Sequence, residues 1–295
     1  SKGYAVHGLV RSLERAATAP HLSRIRGQAT LHAGSLQDSA ALAGLLRAIQ
    51  PAEVYHFAAQ PHIPRSWADP ADTLLINSVG TAMLLEACRQ CPEVPRFFSA
   101  STCQIFGNPE QMPQDEATPV NPVNPYGVSK AAATRLVQLA RESQGLFAVN
   151  GILYNHESPR RGPEFVTGKI CHAAAAIKQG RQQVLKLGDL DARRDWGDAR
   201  EFVEGFWRSL QADQPDDYIF ATGRLHSVRD VLDAAFGAVG LDWKQHVETD
   251  PGLVRKADPN RFLGNPARAA RRLDWHPVNR LPRLIEEMTL NALTP

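Results

Sequence analysis

The chain has 295 residues, 43% hydrophobic and 22% charged, which matches a globular enzyme with ample core. Its 33 basic and 31 acidic residues are interspersed and leave a net charge of +2, so nothing marks a nucleic-acid or membrane-surface partner. No apolar run approaches the roughly 18 residues of a membrane helix, and the start lacks signal-peptide character, so the cytoplasm is the expected compartment.

In chain order, Tyr4 to Arg11 reads as a strand ending on a basic residue. A helix follows from about Ser39 to Gln50, with apolar spacing at Leu42, Leu45, Leu46 and Ile49. Glu53 to Ala59 reads as a strand running into a small-residue turn, Thr73 to Arg89 as a helix, and Arg96 to Ser101 as a strand. Pro119, Pro122 and Pro125 mark an extended loop before a helix from about Tyr126 to Glu142 and a strand from Phe147 to Leu153. Beyond Asn155 the pattern is irregular until a helix near 201–211 and an apolar strand at 218–222, which is expected to rejoin the sheet.

This alternation predicts an α/β fold, a Rossmann-like doubly wound parallel sheet with a smaller α/β lobe at its carboxyl edge, where ligands of open sheets bind. Residues 1–154, with 198–224, form the expected dinucleotide-binding domain; 155–197 and 225–295 form the expected substrate lobe. No G-x-x-G-x-x-G turn is present, although such a turn carries the pyrophosphate in a dinucleotide-binding sheet. The sequence is expected to start near the end of a first helix, one βα unit into the fold; a remnant that binds cofactor poorly is the alternative.

Two segments carry the chemistry. In Asn124-Pro125-Tyr126-Gly127-Val128-Ser129-Lys130, Tyr126 and Lys130 are four apart and share a helix face. An ammonium near a phenol favours the phenolate and lowers a pKa whose ordinary value is about 10. Tyr126 is therefore a candidate base for a sugar hydroxyl. Thr102, at the end of an apolar strand, adds a second hydroxyl. The strand's period of two puts Thr102 and Gln104 on one face and Cys103 on the other. Glu116, in the next loop, is expected to face solvent. Cys88 and Cys91 form a C-x-x-C on a helix with no second ligand pair nearby, so buried thiols are expected there.

These motifs, with the run from Phe147 to Gly162 and that from Leu187 to Gly197, resemble the GDP-mannose 4,6-dehydratase branch of the extended short-chain dehydrogenase/reductases. The resemblance implies a lyase acting on GDP-mannose or a related GDP-sugar: C4 is oxidised, water is lost across C5–C6, and hydride returns to C6. It implies Tyr126 as base, Lys130 as its electrostatic partner and a ribose contact, and Thr102 as a hydrogen-bonder to substrate. Cofactor contacts fall on Arg11, Ala58, Ala59, Gln60, Lys130, His156 and Arg161, with Arg11 arguing for NADP and NAD as the alternative. Substrate contacts fall on Asn155, Lys169, Arg194 and Arg255. A homodimer or homotetramer is implied, and no metal.

The sequence departs from that family at Gln104, where a glutamate handles the C5 proton; an amide hydrogen-bonds but does not shuttle protons. Val123 and Gly168 stand where the dehydratases usually carry arginine. The competing readings are therefore a GDP-sugar 4-epimerase or reductase, which needs no C5 base, and a catalytically silent binding subunit.

Overall fold

Short strands and helices alternate from the first turn of the chain. The computed structural model describes residues 2–19, 22, 25, 27–253 and 262–294. They divide into two compact units, Ser1–Ser99 with Asn124–Ala148 and Ala100–Val123 with Val149–Pro295.

The first unit runs β1 (His7–Val10), α1 (Leu13–Thr18), β2 (Thr30–Ala33), α2 (Ser39–Ile49) and β3 (Glu53–His56). Then come α3 (Ile63–Ala68), α4 (Pro70–Leu74), a π turn at Leu75–Val79, α5 (Gly80–Arg89), β4 (Arg96–Ala100) and α6 (Pro125–Gln144). β1 and β2 pair in parallel, as do β3 and β4. β4 also meets the residue entering the next strand, Phe97 N–H donating to the Phe147 carbonyl at 2.8 Å. Helix α2 begins where Asp38 caps the Ala41 N–H, and its apolar stripe, Leu42 and Leu46, packs with Leu84, Cys88, Phe97 and Val137.

The single helix expected over 73–89 is divided. Asp69 caps α4, and the π turn then widens the helix by one residue before α5 continues. That extra residue brings Asn77 and Ser78 into the interior, 1% and 7% exposed. Cys88 and Cys91 are buried in the same core, and desolvation pushes the Cys88 thiol up to about 12.

The second unit contains β5 (Ala148–Leu153), β6 (Asn155–Glu157), α7 (Val166–Lys178), β7 (Leu185–Leu187), β8 (Arg193–Arg194), β9 (Trp196–Asp198) and α8 (Ala199–Gln211). It continues with β10 (Asp217–Phe220), β11 (His226–Ser227), α9 (Val228–Ala238), β12 (Val247–Thr249), α10 (Ala267–Leu273) and α11 (Leu281–Leu293). β10 does rejoin the sheet, in parallel with β5, and all six residues of β5 are buried, as a strand covered on both faces requires. Ser101 N–H donates to the Gly151 carbonyl at 2.7 Å and ties the segment after β4 to β5. β6 pairs with β9 and β7 with β12 in parallel, while β8 and β11 are antiparallel. Ile170, Trp196, Val231, Phe236, Leu284 and Ile285 fill one core; Phe202, Phe206, Phe220 and Trp275 interlock edge-to-face in another cluster. Among the described residues no helix is long and apolar enough to cross a membrane.

Candidate functional site

Tyr126 and Lys130 occupy the first two turns of α6. Pro125 opens the helix and the Asn124 side chain caps it, accepting from Gly127 N–H at 2.8 Å. Tyr126 is half-buried and Lys130 is 4% exposed. Burial alone pulls the Lys130 ammonium down to about 8. His56, at the end of β3, is held neutral by burial and then by the Lys130 charge, which take its pKa to about 3.

A hydrogen-bonded chain fixes this helix start. Ser129 Oγ donates to the Tyr126 carbonyl at 2.7 Å and accepts from Asn77 Nδ2 at 2.9 Å; Ser78 Oγ donates to the Ser129 carbonyl at 2.9 Å. Asn77 also accepts from the Gln60 N–H at 2.8 Å and donates to its carbonyl at 3.1 Å. Thus the π turn joins the loop after β3 to the Tyr126 helix. Ala58 is exposed and Ala59 half-buried in that loop, whereas the Gln60 amide turns inward to Thr73 Oγ1 and the His62 carbonyl, at 3.0 and 3.1 Å. Asn77 and Ser78 escaped the sequence reading; two polar residues inside an apolar helical stripe were the available signal. Arg11, exposed after β1, lines a surface hollow of about 540 Å3 with Ser12 and with Arg15, another residue not anticipated.

In the second unit Thr102 is the N-cap of a 3₁₀ turn, Cys103–Phe106, its Oγ1 accepting from Gln104 N–H at 3.3 Å. This corrects the strand expectation. The chain leaves extended geometry at the Thr102 cap, so an alternation with period two does not relate Thr102 to Gln104. Gln104 is half-buried and Cys103 buried. Glu116 also departs from expectation. Its side chain is 5% exposed, accepts from Ile219 N–H at 3.0 Å and lies 3.4 Å from the Arg268 guanidinium.

Asn155 and His156 lie on β6, both half-buried. His156 Nδ1 is 2.9 Å from the Tyr154 carbonyl, an acceptor only, so Nδ1 carries hydrogen and the neutral ring presents Nε2 as acceptor. Burial lowers the His156 pKa and keeps that ring neutral, stacked on Phe202 at 5.1 Å. Arg161 Nε sits 2.9 Å from Glu157 Oε2, and its guanidinium lies 3.5 Å over the Phe165 ring. Lys169 Nζ donates to the Lys186 carbonyl at 2.7 Å. Arg194 is half-buried on β8; next to it Asp195 is 1% exposed and accepts from Thr222 Oγ1, Thr222 N–H and Gly223 N–H, which makes it an internal brace. Arg255 lies outside the described residues.

The first unit thus groups Arg11, the 58–60 loop, Tyr126 and Lys130. The second holds Thr102, Gln104, Asn155, His156, Arg161, Lys169 and Arg194. Taken unit by unit, the buried Lys130 ammonium of the first, and the neutral His156 imidazole with one acceptor nitrogen and the Arg161 guanidinium of the second, are each of a chemistry that suits a nicotinamide dinucleotide.

A parallel sheet with helices and a helix-borne Tyr-x-x-x-Lys define an extended short-chain dehydrogenase/reductase. The model of GDP-mannose 4,6 dehydratase matches residues 1–288, and the chain belongs to that family. It is 40% identical to GDP-mannose 4,6 dehydratase 2 of Caenorhabditis elegans over 99% of this chain and 84% of that relative. With the Vibrio cholerae GDP-mannose 4,6-dehydratase the figures are 38%, 99% and 88%. Among solved structures, RMD from Pseudomonas aeruginosa complexed with NADPH superposes with a TM-score of 0.85 at 24% identity, covering 98% of each chain. DesIV, the dTDP-glucose 4,6-dehydratase of Streptomyces venezuelae, gives 0.83 at 22%, covering 97% of this chain and 87% of that one. At these identities the structural likeness establishes the fold.

Proposed function

We propose that this protein is an NADP-dependent nucleotide-sugar dehydratase, converting GDP-mannose or a related GDP-hexose to its 4-keto-6-deoxy derivative with loss of one water. The observation that carries the reading is the family match over residues 1–288. NADP, when bound, supplies the redox chemistry that oxidises C4 and later reduces C6, and it ends in its starting state. Arg11, Ala58, Ala59, Lys130, His156 and Arg161 hold it, with Gln60 fixing the turn on which the two alanines sit.

Tyr126 takes the proton of the sugar 4-hydroxyl. The Lys130 charge one turn away stabilises the phenolate, and neutral His56 adds no competing cation. Thr102 hydrogen-bonds the substrate. Asn155, Lys169, Arg194 and Arg255 bind the pyrophosphate and nucleotide, a task for cations and amide donors. The working assembly is a cytoplasmic homodimer or homotetramer.

One observation favours a second reading. Gln104 offers an amide where elimination calls for a carboxylate, and Glu116 is committed to Ile219 and Arg268. A GDP-sugar 4-epimerase or reductase needs no such base. Full-length protein given GDP-mannose and NADP separates the two by mass spectrometry. Loss of one water supports dehydration, an isomer of unchanged mass supports epimerisation, and binding without turnover overturns both in favour of a silent subunit.

A further inference from the structure

We infer that Glu157 and Gly168 are positioning residues for Arg161, holding its guanidinium in one plane for an anionic part of the dinucleotide. The inference rests on the reading of Arg161 as a cofactor contact. The resemblance assigns no role to Glu157, and because the dehydratases usually carry arginine at position 168, the close approach at Gly168 is a feature of this chain.

Arg161 is flanked by a charge and a ring, and its buried Nε makes an ion pair rather than a hydrogen bond. Glu157 Oε2 lies 2.9 Å from its Nε, and the Phe165 ring covers one guanidinium face at 3.5 Å. Glu157 is itself pinned, since its side chain is 1% exposed and Thr167 Oγ1 donates to the same oxygen at 2.8 Å. A carboxylate buried this deeply is costly unless paired, and its desolvation pushes the carboxyl up to about 7 despite the arginine. Yet the Arg161 side chain keeps 27% exposure, so the pair is buried at its acidic end and open at its basic end. The exposed end leaves guanidinium N–H groups outside the pair open to an anionic ligand.

The main chain is held from the other side. Arg161 N–H donates to the Ser158 carbonyl at 2.9 Å, and Phe165 N–H to the Gly162 carbonyl at 3.3 Å. Gly168, in the first turn of α7, lies directly against this loop: a Cβ there would overlap the Gly162 carbonyl oxygen and sit 2.9 Å from that of Arg161. Only glycine lets α7 approach this closely. Thr167, the neighbour of Gly168, then reaches Glu157. Strand β6 and helix α7 therefore grip the arginine side chain and its backbone together.

The test is NADPH titration by fluorescence on the full-length protein, with Arg161→Met, Glu157→Gln, Gly168→Ala and the Glu157→Gln/Arg161→Met pair, each checked by thermal melting. Coupling between such neighbours predicts that Glu157→Gln and Gly168→Ala each weaken NADPH binding about tenfold. Glu157→Gln should raise the KM for NADP and leave kcat at saturating cofactor unchanged. The pair should bind no more weakly than Arg161→Met alone. If Arg161→Met leaves the affinity unchanged, the cofactor reading of Arg161 falls. If Arg161→Met weakens binding and Glu157→Gln does not, or if Glu157→Gln weakens it equally without the arginine, the positioning role falls and the cofactor reading stands. Should Glu157→Gln melt below the assay temperature, Thr167→Val, which removes only the hydroxyl from the carboxylate, gives the same readout.

Discussion

Asn77 Nδ2 donates to Ser129 Oγ at 2.9 Å across 52 positions of sequence, and this bond ties the π turn to the helix that carries Tyr126 and Lys130. Ser129 passes the restraint on, since its hydroxyl donates to the Tyr126 carbonyl. Asn77 simultaneously satisfies both backbone groups of Gln60, so one amide sets the height of the 58–60 loop against the base helix.

Replacing Asn77 by alanine should therefore cost more than a lost surface bond. It strands the buried Gln60 N–H and removes the donor to Ser129 Oγ, and an unsatisfied buried donor costs about 1–3 kcal/mol. We expect Asn77→Ala to lose roughly 3 kcal/mol in urea unfolding. Its turnover should fall at unchanged Tyr126 chemistry; wild-type stability would show that the network contributes nothing.

Lys130 has the opposite sign. Its folded pKa of about 8 lies below the ordinary 10.5, so the unfolded chain holds the proton more tightly. Between those two values the unfolded state binds more protons, and stability of the cofactor-free protein rises as pH increases from about 8 to 10.5. Below pH 8 the full penalty remains. Lys130→Met should stabilise the cofactor-free protein at neutral pH by about 1–3 kcal/mol, flatten that alkaline rise, and abolish turnover. A destabilised, still pH-dependent variant would refute the account of the buried ammonium.

The regular elements were readable because their apolar periods are local. The stripe of α2 and the apolar run of β5 each identify themselves within a few residues. The π turn was not readable, because Leu75-Ile76-Asn77-Ser78-Val79 continues an ordinary helical pattern and its reason for bulging lies at Gln60 and Ser129. The 3₁₀ turn after Thr102 was hidden by Ile105 and Phe106, whose apolar character imitates a strand. Carboxylates default to the surface in any sequence reading. Glu116 and Glu157 are buried only because Arg268, Ile219, Arg161 and Thr167 come to them through the fold.

Glu116 supplies a control for the missing base. It binds Ile219 N–H and the Arg268 guanidinium, and burial raises its carboxyl pKa. Glu116→Ala strands the Ile219 N–H, while Arg268 keeps Asp216 and the Asp217 carbonyl, and should cost about 1–3 kcal/mol in denaturant unfolding. Glu116→Gln retains an acceptor oxygen for Ile219, and its turnover per folded molecule should equal that of the wild type. A collapse of turnover with the fold intact would make Glu116 the proton carrier after all.

Gln104 decides how far the reaction goes. Its N–H is held by Thr102 Oγ1 at 3.3 Å, so Gln104→Glu changes the side-chain terminus while keeping the backbone turn that bears it. A positioned acid–base group contributes about 10²–10⁴-fold, and Gln104→Glu should raise water loss from GDP-mannose by at least about 100-fold if elimination limits the rate. Tyr126→Phe should reduce every product by a similar factor, because C4 oxidation precedes elimination and epimerisation alike. The two variants thus separate the steps. An unchanged product mixture in Gln104→Glu would remove position 104 from the elimination, whereas retained turnover in Tyr126→Phe would remove the phenol from the chemistry altogether.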